Sequence, residues 1–297
     1  MRNPADLAWT LQAATRPQRP LPAGAWDTHA HVFGPFDRYP TVPGSTYLPP
    51  LAPQAAHLAM LDAAGFDNGV LVHAGANGLD LRGSLDAVAT SPDRLHAVAV
   101  VDPDSDPAAL EDLHARGVRA LRFTENGPSY GGTKPAGVLG LEALKRFAPK
   151  MRDLGWYAVI WAKCRYLAES RAWLDALGLP VVVDHMGSFD IDLGPDHADF
   201  TALRDWVASG NCWIKLTPLR VTRADRRQPD DVRPFHDALL SAGPDRCLFG
   251  SDWPYIAINE DTPDIGGQID LFDRWTGDDA LRQKVFVDNP ARLFAFG

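Results

Sequence analysis

Several features that define other protein classes are scarce or missing in this chain. No stretch approaches the roughly 18 to 20 consecutive apolar residues of a helical membrane span, so no membrane partner is expected. The segment from Met1 to Pro22 carries charges and prolines around a short apolar patch and lacks the apolar core of a secretion signal. Cysteine is rare: Cys164, Cys212 and Cys247 are odd in number and form no Cys-x-x-Cys. A disulfide framework has no basis in them, and three reduced, buried thiols in a cytoplasmic protein are expected. Basic charge is also in deficit. Lys and Arg number 29 against 38 Asp and Glu, for a formal charge of -9. That balance argues against nucleic acid, whose binding needs a basic face to displace counterions. It leaves room for an anionic small molecule, because a few arginines can be gathered in one cleft.

Motifs of common enzyme classes are absent as well. No glycine-rich phosphate turn follows the first apolar run, and neither a phosphate loop nor a Gly-x-Ser-x-Gly elbow occurs. What is present is a regular alternation. Hydrophobic residues make up 45% of the 297 and charged residues 23%, enough to bury a sizeable core. Short β-branched and apolar runs recur with helix-like segments between them: Ala25 to His31, Asn68 to His73, Leu95 to Val101, Val118 to Thr124, Trp156 to Ala162, Pro180 to His185, Cys212 to Thr217 and Cys247 to Ser251. Several are nearly continuous apolar runs, as strands covered on both faces should be. Asp106-Pro107 offers a helix N-cap followed by proline, and Gly65, Gly117, Gly155, Gly178 and Gly210 fall where helices should end.

Eight such units predict one (β/α)8 barrel, an α/β fold, spanning residues 25–297 behind an N-terminal arm, residues 1–24. The arm should lie on the surface or on a partner subunit, so a homo-oligomer is one expectation. Long segments follow the predicted strands, among them Val32 to Pro53, Glu125 to Val138, Met186 to Asp199, Pro218 to Asp230 and Asp252 to Asp264. In a barrel these gather at the carboxyl-terminal face, where active sites lie.

The strand ends then form one constellation. In Asp27-Thr28-His29-Ala30-His31 the two histidines are two residues apart, so on an extended segment they point to the same side. Arg122 leaves the fourth strand, Lys163 the fifth, His185 the sixth and Asp252 the eighth. Each alone has a bland explanation, such as a surface ion pair or a capped turn. Six at one barrel face point to chemistry.

Four motifs in order, Asp27-Thr28-His29-Ala30-His31-Val32-Phe33-Gly34-Pro35, Val182-Val183-Asp184-His185-Met186-Gly187, Gly250-Ser251-Asp252-Trp253-Pro254 and Asp288-Asn289-Pro290-Ala291-Arg292-Leu293, resemble the amidohydrolase superfamily. More narrowly they resemble its branch of 2-pyrone-4,6-dicarboxylate lactonases and related sugar lactonases. The resemblance runs from about Ala25 onward and implies a barrel hydrolase that opens a carboxylate-bearing lactone. His29, His31, His185 and Asp252 would surround the reacting centre, with Asp252 as general base on water and the histidines polarising the carbonyl. Tyr47, Arg122 and Arg220 match residues that contact the substrate in that branch.

The chain departs from the pattern in several places. A histidine after the fifth strand is missing, and Lys163 stands there instead. Ser188 replaces an arginine after His-Met-Gly, Asn126-Gly127-Pro128 replaces a second basic residue, and Tyr255-Ile256-Ala257 replaces a polar pair. Lys163 or Arg223 would then supply the weakened second clamp on an anionic substrate. Trp161, with Phe33, Trp253 and Tyr255, offers an aromatic face for a flat ring. Cys164 lacks the spacing of a nucleophilic triad. No cofactor is expected, since Arg122 and Lys163 raise the cost of a divalent cation and the lactonases of that branch work without metal. The alternatives are a zinc- or manganese-dependent hydrolase or decarboxylase with His29, His31, His185 and Asp252 as ligands, a lactone isomerase, and a non-catalytic anion-binding barrel.

Overall fold

In the computed structural model, which describes residues 11–294 apart from 12, 44, 46, 126–136 and 259–263, all eight apolar runs are strands. They are β1 (Trp26–Ala30), β2 (Asn68–Val72), β3 (Leu95–Ala99), β4 (Val118–Glu125), β5 (Tyr157–Ala162), β6 (Val181–Val183), β7 (Cys212–Leu216) and β8 (Cys247–Phe249). Each pairs in parallel with the next, in the order β1 to β8. Seven of the eight are shorter than the sequence suggests, by one to three residues, and β4 is longer by one. The helices are α1 (Gln54–Ala64), α2 (Arg82–Thr90), α3 (Leu110–Ala115), α4 (Leu144–Asp153), α5 (Cys164–Ala176), α6 (Ala198–Ala208), α7 (Arg233–Ala242), α8 (Ile265–Thr276), α9 (Asp279–Gln283) and α10 (Asn289–Phe294). This is the expected (β/α)8 barrel.

Capping residues act as anticipated. The Asp106 carboxylate accepts from the Ala108 amide at 2.9 Å ahead of α3. Gly65 ends α1 in the left-handed region at φ 91°, where a side chain would be strained.

Successive strand residues serve two cores. Val70, Val72, Val98, Ala120, Val159, Val182 and Leu248 pack inside the barrel with Trp26, Tyr157 and Phe294 of α10. Trp26 and Tyr157 open their strands, so the three rings plug the amino-terminal end. Leu71, Leu121, Ile160, Val183 and Ile214 face the helices. By the same alternation, Arg122 follows Ala120, Trp161 follows Val159, Asp184 follows Val182 and Lys215 follows Trp213 toward the interior at the other end.

The barrel closes through the segment just past β8. The Asp252 amide donates to the His29 carbonyl at 2.7 Å and the His31 amide to the Trp253 carbonyl at 2.8 Å. Side chains reinforce this seam: the Thr28 hydroxyl donates to the Phe249 carbonyl at 2.7 Å, and the Ser251 hydroxyl donates to Asp27 Oδ2 at 2.6 Å. The described part of the N-terminal arm lies on the chain's own barrel. The Gln18 amide donates to Asp270 on α8, and Arg282 on α9 donates to the carbonyls of Arg19 and Pro20. Among the described residues no helix is long and apolar enough to cross a membrane.

Candidate active site

The pairing of β1 with β2 shifts register between Asp27 and Ala30. That irregularity lets Trp26 and His29, three apart, both face the interior while Ala30 faces the helices. His31 then follows His29 inward, and the seam sets Asp252 beside both. Asp252 and His185 occupy left-handed backbone conformations, at φ 60° and 50°. Such geometry costs a non-glycine residue on the order of 1 to 3 kcal/mol and is held only by surrounding structure.

The atoms converge closely. Oδ1 of Asp252 lies 3.5 Å from Nε2 of His29, 3.5 Å from Nε2 of His31 and 3.9 Å from Nε2 of His185. Its other oxygen, Oδ2, accepts from Nε of Arg220, whose Nη1 donates to the Ile256 carbonyl at 2.7 Å. Beneath this group lies a second carboxylate, Asp184. Its Oδ2 accepts from Nε and Nη2 of Arg122 at 3.1 and 3.0 Å, and its Oδ1 lies 3.0 Å from Nζ of Lys215 and 3.2 Å from Nδ1 of His29. All of these groups except Arg220 are buried.

Burial alone would raise the Asp252 carboxyl, but Arg220 and the imidazoles reverse this and hold it well below the usual carboxylate range. Asp184 is held low in the same way by Lys215, His29 and Arg122 against the effect of burial. Burial depresses all three histidines, His185 to about 4, so their imidazoles are neutral near pH 7. His31 places Nδ1 2.6 Å from the Val72 carbonyl. An oxygen acceptor at that distance requires Nδ1–H, which leaves the Nε2 lone pair facing Asp252.

These donors fit a divalent cation in type and number. Three imidazole nitrogens and a carboxylate oxygen suffice for zinc, and Nε2 of His29 and Oδ1 of Asp252 are buried without a hydrogen-bond partner among the described residues. Fixed positive charge surrounds the same point. Arg220 bonds the carboxylate itself, Lys215 lies 3.2 Å from His29, and Arg122 lies one carboxylate away, so a metal would add charge where cations already crowd.

Over this centre opens a cavity of about 250 Å³ whose wall includes His31, His185, Tyr47, Arg122, Arg220 and Trp161. The long segments after the strands supply its rim, with Val42, Val138 and Ile256. The Tyr47 hydroxyl accepts from the Ala76 amide at 3.2 Å. Trp161 lies under the Arg122 guanidinium at 5.2 Å, edge-on to His185, and donates to the Ser188 hydroxyl.

Two expected substrate residues lie elsewhere. Lys163, exposed at the start of α5, and Arg223 line a neighbouring cavity of about 510 Å³ that, among the described residues, shares only Arg220 with the first. Arg223 is bound to Asp190 and Asp192 at 3.1 and 2.5 Å, as a surface loop charge finds the nearest carboxylates. Of the four aromatic candidates only Trp161 reaches the cavity; Phe33, Trp253 and Tyr255 are buried in the helix-side core. The replacement at Asn126-Gly127-Pro128 lies outside the described residues. Cys164 is buried and its thiol is pushed up to about 12 by that burial, which removes it as a nucleophile. Cys164, Cys212 and Cys247 are all free and buried. Sequence reasoning missed Lys215 and gave no role to Asp184. Both follow apolar residues on inward faces, and a lysine inside an otherwise apolar strand, Cys-Trp-Ile-Lys-Leu, was the available signal.

A polar centre at the carboxyl ends of eight barrel strands, with three histidines and an aspartate around one point, defines a barrel of the enzyme class in which one fold hosts many chemistries. The amidohydrolase family model matches residues 26–296, and the chain belongs to that family. It is 36% identical over 276 residues to the 4-sulfomuconolactone hydrolase of Rhizobium radiobacter, covering 92% of this chain and 91% of that protein. To the 2-pyrone-4,6-dicarboxylate hydrolase of Comamonas testosteroni it is 33% identical over 302 residues, covering 99% and 97%. The apo crystal structure of an Agrobacterium tumefaciens protein superposes with a TM-score of 0.81 at 25% identity, covering 95% of this chain and 99% of that one.

Proposed function

We propose that this protein hydrolyses a lactone bearing at least one carboxylate or comparable anionic group, of the 2-pyrone-4,6-dicarboxylate or sugar-acid kind, using its own side chains rather than a metal. One observation carries the anionic substrate: the cavity wall holds Arg122 and Arg220 and, among the described residues, no carboxylate. A guanidinium fork suits a planar anion. The names of the relatives, hydrolases of a sulfonated and of a dicarboxylate ring, support the reaction class.

The mechanism follows from which atoms accept and which donate. A water between Oδ1 of Asp252 and Nε2 of His31 meets two acceptors, so both its protons are engaged and its lone pairs face the cavity. Asp252 takes one proton as the water oxygen bonds to the lactone carbonyl carbon. His185, neutral and on the cavity wall, donates an N–H to the developing oxyanion. Collapse breaks the ring carbon–oxygen bond, and the proton on Asp252 passes to the departing oxygen, leaving an opened hydroxy acid. The low affinity of Asp252 for protons keeps it ionised before each turnover.

The convergence of unpartnered Nε2 and Oδ1 atoms favours a second reading. When bound, a zinc or manganese ion held by His29, His31, His185 and Asp252 would polarise the carbonyl and acidify water. Elemental analysis of protein purified without added metal, with a chelator challenge during lactone hydrolysis, separates the two. Chelator-resistant turnover by metal-free protein is expected, and stoichiometric metal with chelator-sensitive turnover would overturn the metal-free assignment. Asp252→Asn should lower kcat by at least about 100-fold, the lower range of general-base contributions, while product binding by calorimetry survives. Near-normal turnover would remove Asp252 from its role.

A further inference from the structure

Lys215 is a fully buried lysine in the middle of the barrel wall that the mechanism above does not use. Its Nζ, Oδ1 of Asp184 and Nδ1 of His29 form a triangle with sides of 3.0, 3.2 and 3.2 Å. An ammonium only donates, a carboxylate only accepts, and a neutral imidazole nitrogen does one or the other. If Nδ1 of His29 carried the proton, two N–H groups would face each other across the Lys215 edge of the triangle. The Nε2 lone pair would in turn face the carboxylate of Asp252 at 3.5 Å. With the proton on Nε2 both conflicts vanish and one contact reverses: the Nδ1 lone pair then faces Oδ1 of Asp184 at 3.2 Å, a repulsion that the Lys215 ammonium, within 3.2 Å of both atoms, offsets. Lys215 then donates to both Asp184 and Nδ1, and Nε2–H points at Oδ1 of Asp252. Both of these last two atoms are buried without a hydrogen-bond partner among the described residues, and a proton on Nε2 would face Oδ1 at 3.5 Å.

We propose that Lys215 is a positioning residue that holds His29 in its Nε2–H tautomer, so that His29 orients the Asp252 carboxylate and is withheld from a metal ion. The proposal rests on the metal-free reading of the site. It adds that this reading is enforced by a residue on β7 that is buried and is not among the described residues of the cavity wall. Asp184 is the anchor of the device: Arg122 occupies its second oxygen, so the carboxylate cannot turn away from Lys215. A metal at Nε2 requires that nitrogen deprotonated and Nδ1 protonated, the state that Asp184 favours as acceptor and that Lys215 opposes.

The test needs no lactone. Nitrogen-15 NMR of histidine-labelled, metal-stripped protein, with the His29 signals assigned by their loss in His29→Asn, reads the tautomer directly. Nε2–H is expected in the native chain and in Lys215→Arg, which keeps a donor, and Nδ1–H in Lys215→Met. Zinc binding, followed by competition with a chromophoric chelator, should strengthen at least 10-fold in Lys215→Met. Its kcat for whatever lactone is turned over should fall at least 10-fold, with KM changing less than 3-fold. An Nδ1–H tautomer in the native chain overturns the proposal even if no variant folds. So does an unchanged zinc affinity in folded Lys215→Met. If the tautomer and zinc results hold while no lactone is hydrolysed, the fault lies with the proposed reaction and the role of Lys215 stands.

Discussion

One oxygen of Asp252 is held by Arg220 and the other is left to the three histidines, and this division is what makes a base out of a buried carboxylate. Without Arg220, burial would raise the Asp252 carboxyl. The acid limb of kcat/KM should therefore move to higher pH in Arg220→Met, because the ionised fraction is lost earlier on acidification. KM for an anionic lactone should also rise at least 10-fold, a loss of about 1.4 kcal/mol or more. A pH profile measured from 4 to 9 checks both, and an unmoved acid limb would mean that Arg220 serves substrate alone. Arg122 has less to give the substrate than its strand-end position suggested, since Asp184 holds two of its nitrogens and the His73 carbonyl a third at 3.3 Å.

Among the elements, the seam between β1 and the segment after β8 matters most to the site, because the bonds that close the barrel also place Asp252 between His29 and His31. Ser251 is its fastener: its hydroxyl donates to Asp27 Oδ2 and accepts from the Trp253 amide at 3.0 Å. Ser251→Ala leaves a buried carboxylate oxygen short of a donor and should cost about 1 to 3 kcal/mol of stability. Urea unfolding of native and variant protein measures this, and a loss under about 0.5 kcal/mol would mean the seam is held by backbone bonds alone. Gly250 belongs to the same device. A Cβ there would stand 2.9 Å from that of His29, so only glycine lets the two segments approach so closely.

At the scale of the whole molecule, buried histidines set the response to acid. Burial holds His57 at about 3 and His73 and His185 at about 4, against 6.5 for free imidazole. The folded chain thus binds fewer protons than the unfolded one in this range. Stability is fully present above pH 6.5 and is withdrawn as pH falls toward 4, by about 2 kcal/mol per histidine between pH 7 and 5. Asp27 works in the opposite sense. Burial raises it to about 6, so acidification below that value returns part of the loss. Unfolding free energies at pH 7 and 5 should differ by several kcal/mol, and equal values would show that the histidines carry protons in the folded state.

The sequence by itself determined the eight strands, their order and the end of the barrel where function lies. Local rules suffice for that: apolar runs of strand length, capping residues, and His29 and His31 spaced to share a face. It also marked His185, Arg122, Arg220, Tyr47 and Trp161, which meet at one cavity, and Asp252, which lies behind that wall beside His185 and Arg220. Tertiary structure alone decided what those residues face. Lys163 and Arg223 were legible as charges but not as neighbours of another cavity, because the direction of a loop side chain depends on which carboxylate lies nearest in space. The pairing of Lys215 with Asp184, 31 residues away along the chain, forms only when β6 and β7 lie side by side in the sheet. The Arg220 bond to Asp252 forms only once the segments after β7 and β8 lie side by side. Contact between segments distant in sequence, in a buried setting where each donor must find an acceptor, is the physical reason these features stay invisible until the chain is folded.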